Sequence, residues 1–350
     1  MCLTNVYYPL VEIDSLNKFG KPKKKILFDF PYEVHTREDY LLIKNFDREL
    51  ILGSYGYSDK QYINRLIKLK NEMDIKFLKL QQVPCGHCSE CLNMISRAWA
   101  FRILKEAELH EENYFITFTY DNNNLPMNHM LVEDEISKFN KKLKIYLNRK
   151  GLKSDFRFYG VGEYGSHTYR PHYHVIYFGL SIPDLVFQYR DKSGNLHFSS
   201  NFIKSIWSKG LIDIGSVDVG SACYVARYCD KKMRLTKNEK DDLISKGIVP
   251  EFSRMSRRPG IGAYFLEEAI EEFKKGKTSY LVNHNYFSLP LYYSNKIKNI
   301  LPDNILESYQ IEASKRRNSF ISDIIAFSDN IDIFDYMKEK NHFTERQIKL

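Results

Sequence analysis

The stretch from residue 114 to residue 234 constrains the fold most, because strand-like and helix-like patterns alternate within it over short distances. Residues 114–120 (YFITFTY) are β-branched and aromatic, and a loop containing Asp, Asn and Pro follows them. Apolar side chains then recur at helical spacing and stop before Gly151, a typical C-terminal cap. The full order predicted is strand 114–120, helix 133–150, strands 155–163, 171–180 and 210–219, and helix 221–234 with Ser221 as its cap.

This order is typical of an α+β fold, with a mostly antiparallel sheet covered by helices on one face. Outside it, helical spacing predicts an amphipathic helix over 59–74 and a long helix over 92–110. After about residue 240 the chain is polar, and we expect it to be helical to Leu350. The prediction therefore has three parts: an N-terminal segment 1–108, a core 109–235, and a helical C-terminal region 236–350.

Length and composition exclude several classes of protein. The 350 residues suggest about two domains, and a hydrophobic content of 43% predicts a folded chain. The formal net charge of +8 is compatible with a polyanionic partner, although many basic proteins bind none. The sequence has no apolar run near the ~18 residues of a membrane span. Residues 1–10 lack the basic start of an export signal, so we expect a cytosolic protein.

Three of the six cysteines, Cys85, Cys88 and Cys91, lie in one short cluster, PCGHCSEC. In a reducing compartment such spacing favours metal binding over disulfides. A structural Zn²⁺ takes four ligands, and Cys2 is the candidate for the fourth, with His87 as the alternative. The competing interpretation is three reduced cysteines at the start of a helix.

A His-x-His motif, His172 and His174, lies within a strand-like run, so both imidazoles leave the same face of a sheet. Glu163 ends the preceding predicted strand, and a hairpin would bring its carboxylate close to them. Two imidazoles and a carboxylate suit Mn²⁺ or Mg²⁺ when a phosphate supplies further oxygens. The alternatives are structural histidines and a surface charge at Glu163.

Tyr224 and Tyr228 are four residues apart, hence on one face of the predicted helix. Each is followed three residues later by a cation, Arg227 and Lys231 respectively. Such a tyrosine pair usually packs in a core. Because the same chain carries the His-x-His motif, we favour paired nucleophiles with phosphate-binding cations.

Further along the chain, Arg254, Arg257 and Arg258 precede the sequence PGIG. They predict a short basic loop that contacts DNA phosphates. A solvated loop without a ligand is the competing interpretation.

Together these motifs resemble the HUH-superfamily rolling-circle replication initiators, specifically the replication protein of Microviridae phages of the gokushovirus type. The resemblance rests on PCGHCSEC with the helix bearing Trp99, FITFTYDN, GEYG followed by RPHYHVIYFGL, YVARYCDKK, and RMSRRPGIG. These motifs span residues 84–262. The resemblance implies the HUH endonuclease fold, with a ferredoxin-like or RRM-like antiparallel sheet.

The resemblance also implies a site-specific nickase and strand transferase acting at the phage origin. A divalent metal held by His172, His174 and Glu163 would polarise the scissile phosphate. Tyr224 or Tyr228 would attack it, leaving a 5′-phosphotyrosyl enzyme and a free 3′-OH. The implied partners are single-stranded or melted origin DNA and the host helicase and polymerase, in the host bacterial cytoplasm.

Two rival interpretations stay open on the sequence. A plasmid or transposon enzyme could use the same chemistry. A non-catalytic, zinc-containing DNA-binding protein would instead keep His172 and His174 as core residues, and it would bind DNA without a covalent adduct.

Overall fold

A computed structural model describes residues 6–16, 22–26, 32–33, 76–82, 89–165, 168–192, 194–234, 237–277, 279–302, 304–309 and 311. The chain divides into two compact units, one formed by Met1–Cys91 with Ser314–Leu350 and the other by Leu92–Ala313. The boundaries predicted at residues 108 and 235 stay a prediction. Within the described ranges, no helix combines the length and apolar character needed to cross a bilayer.

The described part of the first unit is a small sheet that the sequence did not predict. Its strands are β1 (Val6–Leu16), β2 (Pro22–Ile26), β3 (Tyr32–Glu33) and β4 (Lys76–Gln82). β1 pairs antiparallel with each of the other three. The amphipathic helix predicted over 59–74 and the cysteines Cys2, Cys85 and Cys88 lie outside the described residues.

The remaining elements belong mainly to the second unit. The helices are α1 (Ser89–Ala107), α2 (Glu135–Arg149), α3 (Asn201–Trp207), α4 (Val219–Arg234), α5 (Lys237–Ser245), α6 (Leu266–Lys274) and α7 (Leu291–Lys298). The strands are β5 (Asn113–Tyr120), β6 (Arg157–Tyr164), β7 (Pro171–Phe178), β8 (Val186–Arg190), β9 (Leu196–Ser199), β10 (Gly210–Ser216), β11 (Phe252–Met255), β12 (Ser279–Val282) and β13 (Asn285–Ser288).

A seven-stranded sheet in the order β11-β6-β7-β5-β10-β9-β8 forms the centre of this unit. Each neighbouring pair is antiparallel, which confirms the α+β class and the antiparallel sheet. β6 and β7 form the predicted hairpin, and β7 and β5 lie side by side at the middle of the sheet.

Helices cover both faces of the sheet, so the prediction that they lie on one face was wrong. On one face, Tyr173, Val175 and Tyr177 of β7 pack in a core with side chains of α2 and α3. On the other, Ile176 and Phe178 pack in a core with side chains of α1 and α4. The reason is in the sequence of β7, where both alternating sets of side chains contain large apolar residues and both need cover.

The region after residue 236 also differs from its prediction, because it contains strands as well as helices. β11 pairs with β6 and extends the central sheet, and β12 and β13 form a separate hairpin. Each of these strands has only four residues. So short a segment shows too few alternations for a period of two to be recognised.

The start of α4 is capped by Asp218 and not by Ser221 alone. The Ser221 amide donates to Asp218 Oδ1 at 2.7 Å, and the Asp218 amide donates to Ser221 Oγ at 2.8 Å. This reciprocal pair satisfies two backbone donors that a helix start leaves free. It fixes the direction in which α4 leaves β10.

Candidate active site

The β6–β7 hairpin brings the three predicted metal-binding residues onto one face of the sheet. Glu163 lies directly opposite His172 in the strand register, and Val161 lies opposite His174. Since side chains alternate along a strand, those of Glu163, His172 and His174 all leave on the face covered by α1 and α4. Glu163 and His174 are buried, at 4% and 7% relative exposure.

His174 is held on three sides. Its Nε2 lies 2.8 Å from Glu163 Oε1, and its Nδ1 lies 3.0 Å from Thr117 Oγ1 on β5. The Phe115 ring stacks on the imidazole, with centroids 5.6 Å apart and planes 5° from parallel. These contacts fix the ring orientation and direct Nε2 at the carboxylate.

His172 lies beside this pair without joining it. Its ring centroid is 6.3 Å from that of His174. A Cβ added at Gly165 would lie 2.6 Å from His172 Nε2, so a glycine is needed where this ring sits. Burial, and then the neighbouring His174, lower the pKa of the His172 imidazole. The lower pKa favours the neutral ring, which is the form that can ligate a metal.

The structure therefore brings the predicted metal ligands together only in part. Glu163 and His174 are in hydrogen-bonding contact, and His172 is their neighbour on the same face. Among the residues the structure describes, no three His, Cys, Asp or Glu side chains are arranged as ligands of one ion. The assignment of these residues to a metal stays a prediction.

Tyr224 on α4 projects into the same site. Its hydroxyl lies 3.4 Å from Glu163 Oε1, and its ring meets the His174 ring edge to face, with centroids 5.2 Å apart. It also meets Phe115 at right angles. Tyr224 is 39% exposed, so one side of the phenol faces solvent while the other faces the buried pair.

The remaining residues of the tyrosine motif lie in the second half of α4. The helix continues to Arg234 and so includes Arg227, Tyr228 and Lys231. Their side chains lie outside the described part of the chain. Of the cysteine cluster, the structure describes Cys91, which is buried in the first turn of α1.

The basic segment is partly a strand, contrary to its prediction as a loop. Arg254 belongs to β11, opposite Gly160, and its guanidinium lies 3.6 Å from Glu133. Arg257 and Arg258 follow in an exposed turn. The turn continues through residues 259–262, whose backbone is anchored from below.

Four side chains hold that backbone. The carboxylate of Glu106 accepts from the Gly262 amide at 2.6 Å, and Arg102 Nε donates to the Ile261 carbonyl at 3.0 Å. Arg157 donates to the Pro259 carbonyl at 2.7 Å, and the Tyr293 hydroxyl donates to the Gly262 carbonyl at 2.6 Å. The arginine-bearing turn is therefore fixed to α1, β6 and α7.

Sequence reasoning missed Thr117, Phe115 and Gly165 as parts of the site. A signal for the first two was present, because Phe115 and Thr117 alternate with the core residues Ile116 and Phe118 in YFITFTY. Alternation places them on the face that carries His174 once β5 pairs with β7. Nothing in the sequence indicated that β5 and β7 are neighbours.

The chain was next compared with known proteins. The family model for "Replication-associated protein ORF2" and its relatives matches residues 113–233, from β5 to α4. The replication-associated protein VP4 of Bdellovibrio phage phiMH2K is 30% identical over 256 residues, which cover 72% of this chain and 78% of that protein. The chain belongs to this phage replication-associated family.

Two further relatives extend the comparison. The replication-associated protein ORF2 of Spiroplasma virus 4 is 29% identical over 287 residues, covering 79% of this chain and 87% of that protein. The replication-associated protein ORF4 of Chlamydia phage 1 is 30% identical over 229 residues, covering 63% and 55%. No solved structure matches the chain. The resemblance to Microviridae replication proteins is thereby confirmed, and family membership implies DNA as a partner.

Proposed function

We propose that this chain is a metal-dependent, site-specific DNA nickase and strand transferase that initiates rolling-circle replication at a phage origin. One observation carries the proposal: the Tyr224 hydroxyl lies 3.4 Å from Glu163 Oε1, which also lies 2.8 Å from His174 Nε2. A hydroxyl beside an oriented carboxylate–imidazole pair has the geometry that an activated nucleophile needs. The half-exposed phenol leaves room for a phosphate on its outer side.

In the proposed reaction the Tyr224 oxygen attacks the phosphorus of the scissile phosphodiester. The bond from phosphorus to the 3′ oxygen breaks, and this oxygen leaves as a 3′-OH after taking up a proton. Glu163 accepts the hydrogen bond of the phenol and orients it. The product is a 5′-phosphotyrosyl ester. Because this ester keeps the phosphorus in an activated linkage, attack by a 3′-OH rejoins the strand without ATP.

Tyr228 is the proposed second nucleophile, one turn further along α4. A second tyrosine lets the enzyme cut the displaced strand while it is still attached to the first product. Arg227 and Lys231, from the same helix, are proposed to offset charge on the phosphoryl oxygens.

Mn²⁺ or Mg²⁺ is the proposed cofactor, with His172, His174 and Glu163 as the residues that would hold it. The donor set fits such an ion, because two imidazoles and one carboxylate share a sheet face. In addition, His172 Nδ1 is buried with no hydrogen-bond partner among the described residues. When bound, the ion supplies positive charge at the phosphate.

The proposed substrate is single-stranded or locally melted origin DNA, reached in the host bacterial cytoplasm together with the host helicase and polymerase. Arg257 and Arg258, in their anchored turn, are proposed to contact phosphates, and Arg254 supports the turn from β11. The rival plasmid or transposon origin is not supported by the relatives, all of which are phage or virus proteins.

A structural Zn²⁺ at Cys85, Cys88 and Cys91, with Cys2 or His87 as fourth ligand, is a separate proposal. Metal analysis of native protein tests it directly. Tightly bound zinc that is lost when Cys88 is changed to Ser supports the site, and zinc-free native protein removes it.

The test of the nickase uses the purified full chain, Mn²⁺ and single-stranded DNA carrying candidate origin sequences, labelled at the 3′ end. The label then stays on the fragment that becomes attached to tyrosine. Wild-type protein is compared with Tyr224→Phe, Tyr228→Phe, the double variant and His172→Ala. Tyr264→Phe is the matched control, since Tyr264 is 59% exposed and lies outside the site.

Label that co-migrates with protein on a denaturing gel supports the proposal if EDTA, His172→Ala and the double tyrosine variant each abolish it. The single variants then show which tyrosine cuts first. DNA binding without an adduct on any origin sequence would overturn the proposal and favour a non-catalytic DNA-binding protein.

A further inference from the structure

A flat aromatic stack lies at the edge of the central sheet, away from the candidate active site. The ring of Tyr189 on β8 lies on the ring of His197 on β9, with centroids 4.4 Å apart and planes 5° from parallel. Tyr189 is nonetheless 52% exposed, because β8 is the edge strand and only one face of the ring is covered. The stack therefore presents a large aromatic surface to solvent.

The lower ring of this stack is held in place by carboxylates. His197 Nδ1 lies 2.8 Å from Asp213 Oδ2 on β10, and its Nε2 lies 3.6 Å from Asp191 Oδ2. Although burial opposes it, the hydrogen bonds to Asp213 and Asp191 raise the pKa of the His197 imidazole. The stack is thus a pre-organised platform whose lower ring cannot rotate without losing these contacts.

The platform is in line with the candidate active site. Asp213 is the cross-strand neighbour of Thr117, and Thr117 contacts His174. The polar row therefore runs from His174 across β5 and β10 to the stack. β8 is four strand positions from β7, or about 19 Å at ~4.8 Å per strand. Leu211 on β10, 66% exposed, shows that the sheet is open to solvent along part of this path.

We propose that Tyr189, supported by His197, is a stacking site for a nucleobase of the single-stranded DNA that extends from the cleavage site. This inference rests on the proposed function. Base stacking on an aromatic ring is tolerant of sequence and suits a strand that must be held on both sides of a cut. Asp191 and Asp213 beside the stack disfavour phosphates, so the bases face the sheet and the backbone faces outward.

The experiment measures binding and contact separately from cleavage. A fluorescent single strand of about 16 nucleotides, within the usual site size, is titrated with the full chain in EDTA and followed by anisotropy. Tyr189→Ala is compared with Tyr189→Phe, which keeps the ring, and with Tyr286→Ala, an exposed tyrosine of β13 at 69%. Iododeoxyuridine placed along the strand is photo-crosslinked to wild-type protein, and the attached peptide is identified by mass spectrometry.

We expect Tyr189→Ala to raise the Kd by roughly 5- to 150-fold, the range for loss of one base–aromatic stack. Tyr189→Phe and Tyr286→Ala should bind like wild type, and the crosslink should map to Tyr189. Unchanged binding by a folded Tyr189→Ala variant, or crosslinks that map elsewhere, would overturn the platform.

The adduct assay distinguishes this failure from failure of the proposed function. If wild type still forms the Tyr224-dependent adduct, the nickase stands and only the platform is lost. If wild type neither binds single strands nor forms an adduct, both proposals fall. A peptide pairing with the edge strand β8 would compete through backbone hydrogen bonds and would be insensitive to Tyr189→Ala.

Discussion

At the scale of single residues, Thr117 is the contact that decides which nitrogen of His174 faces the site. Its hydroxyl lies 3.0 Å from Nδ1, so Nε2 is directed at Glu163. Groups behind a metal-ligating histidine typically change metal affinity by about 10- to 100-fold when removed. We expect Thr117→Val to weaken Mn²⁺ binding by that amount, measured by isothermal titration calorimetry on the full chain.

The matched control is Thr117→Ser, which keeps the hydroxyl and removes only a methyl group. It should bind Mn²⁺ nearly as wild type does. Because Val has almost the shape of Thr, the comparison separates the hydrogen bond from packing. Equal affinity in Thr117→Val and wild type would show that the threonine does not position His174.

Gly165 is the second residue whose role is steric. A Cβ there would lie 2.6 Å from His172 Nε2, so Gly165→Ala must push the imidazole from its position. The displaced group is the end of a side chain, and we therefore expect the protein to stay folded. Mn²⁺ affinity should fall at least about tenfold, close to the effect of His172→Ala.

Gly215→Ala on β10 is the control for this substitution. A Cβ at Gly215 would meet its nearest atom at 3.8 Å, an ordinary contact. It should leave Mn²⁺ affinity unchanged and leave thermal stability equal or slightly higher, since alanine restricts the unfolded chain. A Gly165→Ala variant with wild-type affinity would contradict the crowding argument.

At the scale of elements, the cap of α4 determines where Tyr224 stands. Asp218 and Ser221 exchange two backbone-to-side-chain hydrogen bonds at the start of this helix. Replacing a capping side chain by Ala costs about 0.5–2 kcal/mol. We expect Asp218→Ala to lower the free energy of unfolding by about 1 kcal/mol, measured by denaturant titration.

Asp218→Asn should retain most of the stability, because asparagine caps nearly as well as aspartate. Asp241→Ala, at an exposed position within α5, should change stability by no more than about 0.5 kcal/mol. If Asp218→Asn lost as much as Asp218→Ala, the charge would matter and not the cap.

The elements also show what the sequence could predict. The β6–β7 hairpin followed from two long strand-like runs joined by a short polar connection, and it places Glu163 opposite His172. By contrast, β8, β9 and β11 are short or highly exposed, so their side chains lack a clear alternation. The pairing of β5 with β7 depends on contacts far apart in the chain, and local periodicity does not encode them.

Helix α1 illustrates the same limit. Its existence was predictable from a long run without Gly or Pro, but its function as a support was not. Glu106, fully buried, holds the Gly262 amide, and Arg102 lies between the rings of Trp99 and Tyr292 while it holds Ile261. Buried charges on a helix are destabilised by desolvation unless partners are fixed nearby, and here the partners are backbone atoms of the arginine-bearing turn.

At the scale of the whole molecule, the net charge of +8 is meaningful for DNA binding only where cations are exposed and not already neutralised. Lys274 and Lys275 on α6, for instance, are within 2.8 and 3.2 Å of Glu271 and Glu272. In the described part of the chain, Arg257 and Arg258 have no such ion pair and are exposed. The anchored turn therefore concentrates free positive charge at one place.

This difference predicts a change in salt dependence. Each phosphate contact on a single strand adds about 0.7 to the slope of log K against log salt. Replacing Arg257 and Arg258 together by Gln should therefore reduce the magnitude of the slope by roughly 1.4 and weaken binding to a similar extent on all sequences. Fluorescence anisotropy across a salt series measures both quantities.

The paired control replaces Lys274 and Lys275 by Gln, which removes the same number of charges. It should leave the slope close to that of wild type, because these lysines are already neutralised by their glutamates. If both double variants reduce the slope equally, binding responds to total charge and the turn has no special position. If only the arginine variant does, the anchoring of residues 259–262 by Glu106 and Arg102 serves to present that charge to DNA.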